Sequence, residues 1–285
     1  MKYNPILFIL GVAAATTASA QPLYTVSVES AAFTNLSASG PSAVSLDDTF
    51  SDTPAGATLN TAYTAYANPV GTLNGPAGLG VRSFVSLLGP GSYTQTVTAS
   101  MFVDDIVISS AGSDPLESLT VFFDLSGTAS GVFDGSSQLN NGYAFTLVAE
   151  ATLNGETAVG ALAIAEATGT PFTEFASQSF STLDGDGRFE VTFTDVPVNT
   201  ALEFELSFSV LAGVVSTGPF VSADGDFDST LTFAQDGPAF ASSDTDFQSV
   251  NSSDLGILNS TAIIPSPAGV SIFAVVLATA ARRRR

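Results

Sequence analysis

Strict alternation of apolar and polar residues constrains this chain more than any other feature. In Phe189-Glu-Val-Thr-Phe-Thr194, Phe189, Val191 and Phe193 fall on one side and Glu190, Thr192 and Thr194 on the other. Glu203 to Val210 repeats it, with Phe204, Leu206, Phe208 and Val210 opposed to Glu203, Glu205, Ser207 and Ser209. A period of two belongs to a half-buried strand, one face on a core and one in water. Leu119–Leu125, Tyr143–Ala149, Thr94–Ile108 and Thr230–Phe233 read as strands from their β-branched and aromatic content. Asn140-Asn141-Gly142, Asn154-Gly155, Asp184-Gly185-Asp186-Gly187 and Asp224-Gly225 read as tight turns at positive φ. Ala158–Ala167 reads equally as a short helix or a strand. The stretches Ser39–Asn60 and Ser242–Asn259 look linker-like. The expected fold is all-β: an antiparallel, jelly-roll-like sandwich over residues 21–260, with two sub-sandwiches meeting near Ser110–Pro115 as an alternative.

The termini carry a different pattern. Lys2 precedes the ten-residue apolar run Ile6–Ala15, and Ala18-Ser19-Ala20 supplies a small-x-small cleavage site at Ala18 and Ala20. That is the order of a secretory signal peptide, expected over residues 1–20 as a helix that signal peptidase removes. At the other end, Pro265-Ser266-Pro267 is followed by 14 uncharged residues, Ala268–Ala281, and by Arg282, Arg283, Arg284 and Arg285. As a helix those 14 residues reach about 21 Å. That suffices to enter a bilayer with local thinning and arginine snorkelling, and the arginines stop the tail on the cytoplasmic side.

Charge and composition then exclude chemistry. All 27 acidic residues lie between Glu29 and Asp254, against two arginines there, Arg82 and Arg188, leaving a formal charge of −25. Such a surface repels nucleic acid. The chain has no His and no Cys, and residues 21–264 have no Lys. Ser-His-Asp, Cys-His, Schiff-base and ordinary zinc centres therefore cannot be assembled. With no cysteine, stability rests on an ordinary apolar core, for which 22 Phe provide material. Carboxylate chemistry is what remains. A glycosidase pair is unsupported by any specific spacing, and no enzyme is expected. Asp184, Asp186, Asp224, Asp226 and Asp228 crowd acids on expected turns. They are read as solvated hairpin turns, with weak calcium binding as the alternative, since neither loop places Gly and Glu as an EF-hand requires. No other cofactor is expected.

The proline motif, apolar segment and terminal arginine cluster over residues 263–285 resemble the PEP-CTERM sorting signal of Gram-negative and related bacteria, with Ser266 where Glu is usual. The resemblance implies export, recognition by an exosortase-like transpeptidase, anchoring in the inner membrane before processing, and delivery to the cell surface or extracellular matrix. Phrases such as "MFVDDIVIS" and "DFDSTLTF" are similar to the Ser/Thr-rich sandwich bodies often joined to that signal. Two functions are expected to compete. One is a structural or adhesive surface protein. The other is a module that binds or cleaves carbohydrate such as exopolysaccharide, which would line up Tyr63, Tyr66, Tyr93 and Tyr143 as an exposed row.

Overall fold

The computed structural model describes residues 23–30, 34–53, 56–68, 77–125, 127–133, 142–168, 176–179 and 188–262. The expected signal helix, the sorting motif with its apolar segment and arginines, and the acidic turn at Asp184 and Asp186 lie outside the described residues. Within them the chain is built from antiparallel β-strands, and no helix there is long and apolar enough to cross a membrane.

Two strands of 33 residues, β5 (Gly78–Ser110) and β12 (Ala201–Phe233), pair with each other along nearly their whole length. Everything else is laid on their outer edges. The first part of β5 pairs with β4 (Thr58–Asn68), and β4 with β3 (Val44–Asp52). Opposite it, the last part of β12 pairs with β7 (Thr128–Phe133), and β7 with β10 (Ala176–Ser179). The second part of β5 pairs with β1 (Leu23–Ser30), and β1 with β2 (Leu36–Gly40). The first part of β12 pairs with β8 (Gly142–Leu153), and β8 with β9 (Glu156–Thr168).

These two sets of strands form two layers, because both long strands double back. Ser83 Oγ donates to Gln95 O at 3.1 Å, within one strand. Twelve residues of straight strand would separate them by about 40 Å. Phe204 and Phe233, at opposite ends of β12, lie 5.9 Å apart. The bend in β5 falls at Gly89-Pro90-Gly91, which pairs with Ser216, Thr217 and Gly218. Gly89 has φ +111°, and a Cβ there would stand 2.8 Å from Ala57 Cα, so only glycine fits. Strands that change layer at a corner are a known way to close a sandwich. Beyond these layers, β6 (Leu116–Leu125) pairs with the end of β12, with β11 (Arg188–Val196) and with β13 (Phe240–Ala241). β14 (Phe247–Asn251) pairs with the end of β5, and β15 (Ile257–Leu258) with β16 (Thr261–Ala262).

The expected alternation holds. Phe204, Leu206, Phe208 and Val210 are buried, as are Val191 and Phe193, and β8 buries Phe145, Leu147, Ala149, Ala151 and Leu153 on its inner face. A cluster of Phe123, Phe204, Phe233 and Phe240 rings, at 5.2–6.5 Å, closes one end of the core. Asn154 (φ 48°) and Gly155 (φ 87°) make the two-residue hairpin between β8 and β9 that their sequence requires.

Two readings are corrected and one left open is decided. Asp224-Gly225 is not a turn but the interior of β12, paired with Phe84 and Ser83. Its glycine is there for packing: a Cβ would stand 2.8 Å from Val210 Cγ2 of the facing layer. Of the two readings open for Ala158–Ala167, the strand is the one found: the segment lies in β9, paired with β8. The linker-like stretches are structured. Residues 44–52 form β3, and residues 242–259 are held by side-chain bonds such as Ser242 Oγ to Ser118 O at 2.6 Å.

Candidate functional site

The chain leaves β2 on the edge of one layer at Gly40 and enters β3 on the edge of the other at Val44, so both edges share one open flank. Along β3, alternation places Val44, Leu46, Asp48 and Phe50 on one face, and Val44 and Leu46 pack against the core. Asp48 shares this face but is exposed. Its register partner on β4 is Tyr63, and that of Phe50 is Thr61. Here the layers part to leave a cleft of about 310 Å³ lined by Thr34, Leu36, Asp48, Thr49, Phe50 and Tyr63.

The electrostatics of this cleft are one-sided. Asp48 Oδ1 accepts the Thr49 N–H at 2.7 Å, which leaves Oδ2 able to accept from a ligand. Asp47 accepts more weakly from Thr64 Oγ1, at 3.4 Å. Tyr63 is 4% exposed, and burial first, then the Asp48 and Asp47 charges, push its phenol above the ordinary value. It is a neutral hydroxyl at any physiological pH. Of the two basic residues of the body, Arg82 of β5 pairs with Thr64, which in turn pairs with Asp47, and Arg188 begins β11.

A second cleft, about 250 Å³, lies between the β8–β9 hairpin and the end of β11, lined by Leu153, Asn154, Glu156, Thr194, Asp195, Val196 and Pro197. Glu156 already accepts from Thr194 N (3.4 Å) and Thr194 Oγ1 (3.5 Å).

A third acidic region is structural. Opposite Glu203 the register slips, so Asp104 and Asp105 together face one residue of β12, a β-bulge. The bulge turns Asp105 toward the 252–254 turn. There its carboxylate accepts from Ser252 Oγ, Ser253 N (2.7 Å), Ser253 Oγ (2.7 Å) and Asp254 N (3.0 Å). Tyr24, fully buried beside this cluster, is pushed up to about 12 by burial and by Asp254 and Asp105. Burial, then Asp105 and Asp104, also raise Asp254 above its ordinary value.

The acids singled out in the sequence fare differently. Asp224 and Asp226 stand on one face of β12 and meet Arg82. Its Nε and Nη2 donate to Asp224 at 3.1 and 2.9 Å, and Asp226 lies 3.8 Å from Nε. An arginine clamp replaces the open acidic turn. Asp228 lies on the same strand. Among the described residues, no three His, Cys, Asp or Glu side chains converge as a metal-ligand set.

The exposed tyrosine row that a carbohydrate-binding module would line up does not form. Tyr63 and Tyr143 are buried, at 4% and 5% exposure, while Tyr66 and Tyr93 are half-buried. Of the cleft residues, Tyr63 alone was singled out by sequence reasoning. Asp48 was missed, although Val44-x-Leu46-x-Asp48-x-Phe50 carries the signal: one charge in an otherwise apolar alternation.

No protein-family description matches the chain, and no curated protein matches it significantly. A solved structure of TmCBM61 in complex with β-1,4-galactotriose overlaps 64% of this chain and 84% of its own, at 12% identity and a TM-score of 0.17. A likeness that loose carries no ligand across.

Proposed function

We propose that this chain is an exported bacterial protein of the cell surface or extracellular matrix, with a structural or adhesive role and no catalysis of its own. The observation that supports it best is the division of residues between core and surface. Phenylalanines and tyrosines fill the interior between the layers, while outward positions such as Glu203, Glu205, Ser207, Ser209 and Thr98 are polar. The body shows water a hydroxyl-rich surface with a charge of −25, set by 27 acids against two arginines. Net charge of that size keeps a surface protein soluble and repels other anions.

The termini supply the address. Signal peptidase cleaves after Ala20, the Pro265-Ser266-Pro267 tail engages an exosortase-like transpeptidase at the inner membrane, and the jelly-roll-like body is delivered outside, among exopolysaccharide. Cell fractionation with intact-mass measurement of the recovered protein tests this. A mature chain beginning at Gln21 and lacking the arginine cluster, in the envelope or medium fraction, is the expected result. Full-length polypeptide in the cytosol would overturn it.

A further inference from the structure

From the geometry of the β8–β9 turn we infer a site of spontaneous covalent modification: Asn154 loses its side-chain amide to attack by the backbone nitrogen of Gly155 and becomes an aspartyl or isoaspartyl residue. The chemistry needs an asparagine side chain able to turn back on the main chain, a following residue without a side chain, and water. Asn154 and Gly155 are both exposed. Apart from its chain neighbours, no heavy atom lies within 4 Å of where a Cβ on Gly155 would stand. Among the described residues the Asn154 side chain makes no hydrogen bond. Its backbone N–H, which donates to Glu203 O at 2.8 Å, is not a reacting group. Other asparagines are held. Asn199 Oδ1 accepts from Ser110 N at 3.2 Å, and its Nδ2 donates to Ser110 O and Gly112 O at 3.3 and 3.0 Å. Asn251 Oδ1 accepts from Asn259 N at 2.9 Å, and Asn60 Oδ1 from Ser51 Oγ at 2.7 Å. Among the described asparagines, Asn154 alone precedes a glycine.

In the first step Gly155 N gives up its proton and bonds to Asn154 Cγ. The Cγ–Nδ2 bond breaks, ammonia leaves, and a succinimide ring is closed. Water then adds to one of the two ring carbonyls. Opening on one side leaves an aspartyl residue. Opening on the other runs the main chain through the former side chain and lengthens it by one carbon. The net exchange is amide and water for carboxylate and ammonium, with no oxidant or enzyme. Residues 154 and 155 hold φ 48° and 87°. Ring closure rotates the peptide between them out of that geometry, so the reaction runs from the opened turn, and exposed turns open at low cost. Either product adds a negative charge beside Glu156 and Asp195, which line the same cleft. The isoaspartyl product also breaks the Leu153–Glu156 register, because a two-residue turn has no slack for another backbone atom. The bond between the Thr152 and Thr157 hydroxyls, 2.8 Å, adjoins that pair. Among the described strands β9 pairs with β8 alone, so its first residues loosen while β12 keeps its other partners. The site rests on the turn, so failure of the export reading leaves it standing.

The test is a time course of the purified, folded chain in mildly alkaline heavy-oxygen water, read by peptide mapping with mass spectrometry. Asn154 should convert at least ~10-fold faster than Asn199 or Asn251 and take up one solvent oxygen. The converted chain should accept methyl groups from an isoaspartyl methyltransferase. Amide exchange at Thr157 and Ala158 should rise in the isoaspartyl fraction, and much less in freshly prepared Asn154→Asp, which gains the charge without the longer backbone. Asn154→Gln, which must close a larger ring, should stay unconverted over the same period. Conversion of Asn154 no faster than that of Asn199 would overturn the site. Conversion only in the urea-unfolded chain would overturn it too, by showing that the folded turn blocks ring closure. Conversion without isoaspartate would overturn the succinimide route. If either variant does not fold, the rates and products in the unaltered chain still decide.

Discussion

Replacing Asp105 with alanine should loosen the end of the body at the 252–254 turn before it harms anything else. The side chain accepts four hydrogen bonds there, from Ser252 Oγ, Ser253 N, Ser253 Oγ and Asp254 N. A net hydrogen bond contributes about 1 kcal/mol, and more when the acceptor is charged. Two terms reduce the total. The site is partly exposed, so water replaces some donors' partners. Removing Asp105 also relieves its repulsion of Asp254. We expect a net loss of about 2–3 kcal/mol, which for a body of this size lowers Tm by roughly 4–12 °C. Asp105→Asn keeps one acceptor oxygen and should lose about half as much. Thermal melting gives the magnitude, and amide hydrogen exchange gives the place. Leu255 N, which donates to Ser252 Oγ at 3.1 Å, and Ile257 N, which donates to Ser252 O at 2.8 Å, should lose protection well ahead of β8. A Tm change under about 2 °C, with exchange at Leu255 and Ile257 unaltered, would refute the assignment of Asp105 as the fastening of this turn.

Three further outcomes follow from the same contacts. Gly225→Ala should cost about 1–3 kcal/mol in a urea melt, because its Cβ has no room against Val210 and Phe145 of the facing layer. Arg82→Met should lower Tm by a few degrees at low salt and by less at about 0.5 M salt, since a part-exposed ion pair contributes about 0.2–1 kcal/mol and is screened. Asp254→Asn should raise Tm at pH 7. The folded-state value of Asp254 lies above its ordinary 3.8, so its charge opposes folding at pH above the folded value, and the difference between variant and parent should vanish as pH falls below 3.8.

The strand faces were legible because alternation is local. Phe204 to Val210 declares its inner side without reference to any partner, and Asn154-Gly155 declares its hairpin through backbone preference alone. What escaped was long-range. Gly-Pro-Gly at residues 89–91 reads as a break between strands, yet it is the corner of a single strand, something only its pairing with residues 216–218 reveals. Gly225 carries the same residue type as a turn, and the need for it comes from Val210, fifteen residues earlier in the same strand but facing it across the core. The cleft was half legible for the same reason: Asp48 breaks a local pattern, whereas the proximity of Leu36 depends on where β2 and β3 come to rest.

Since β5 and β12 each supply the spine of both layers, neither layer can melt alone, and assembly waits until Val97 finds Val210. Such distant partners make for slow maturation. A chain of this design acquires its shape only once both spines are present to pair.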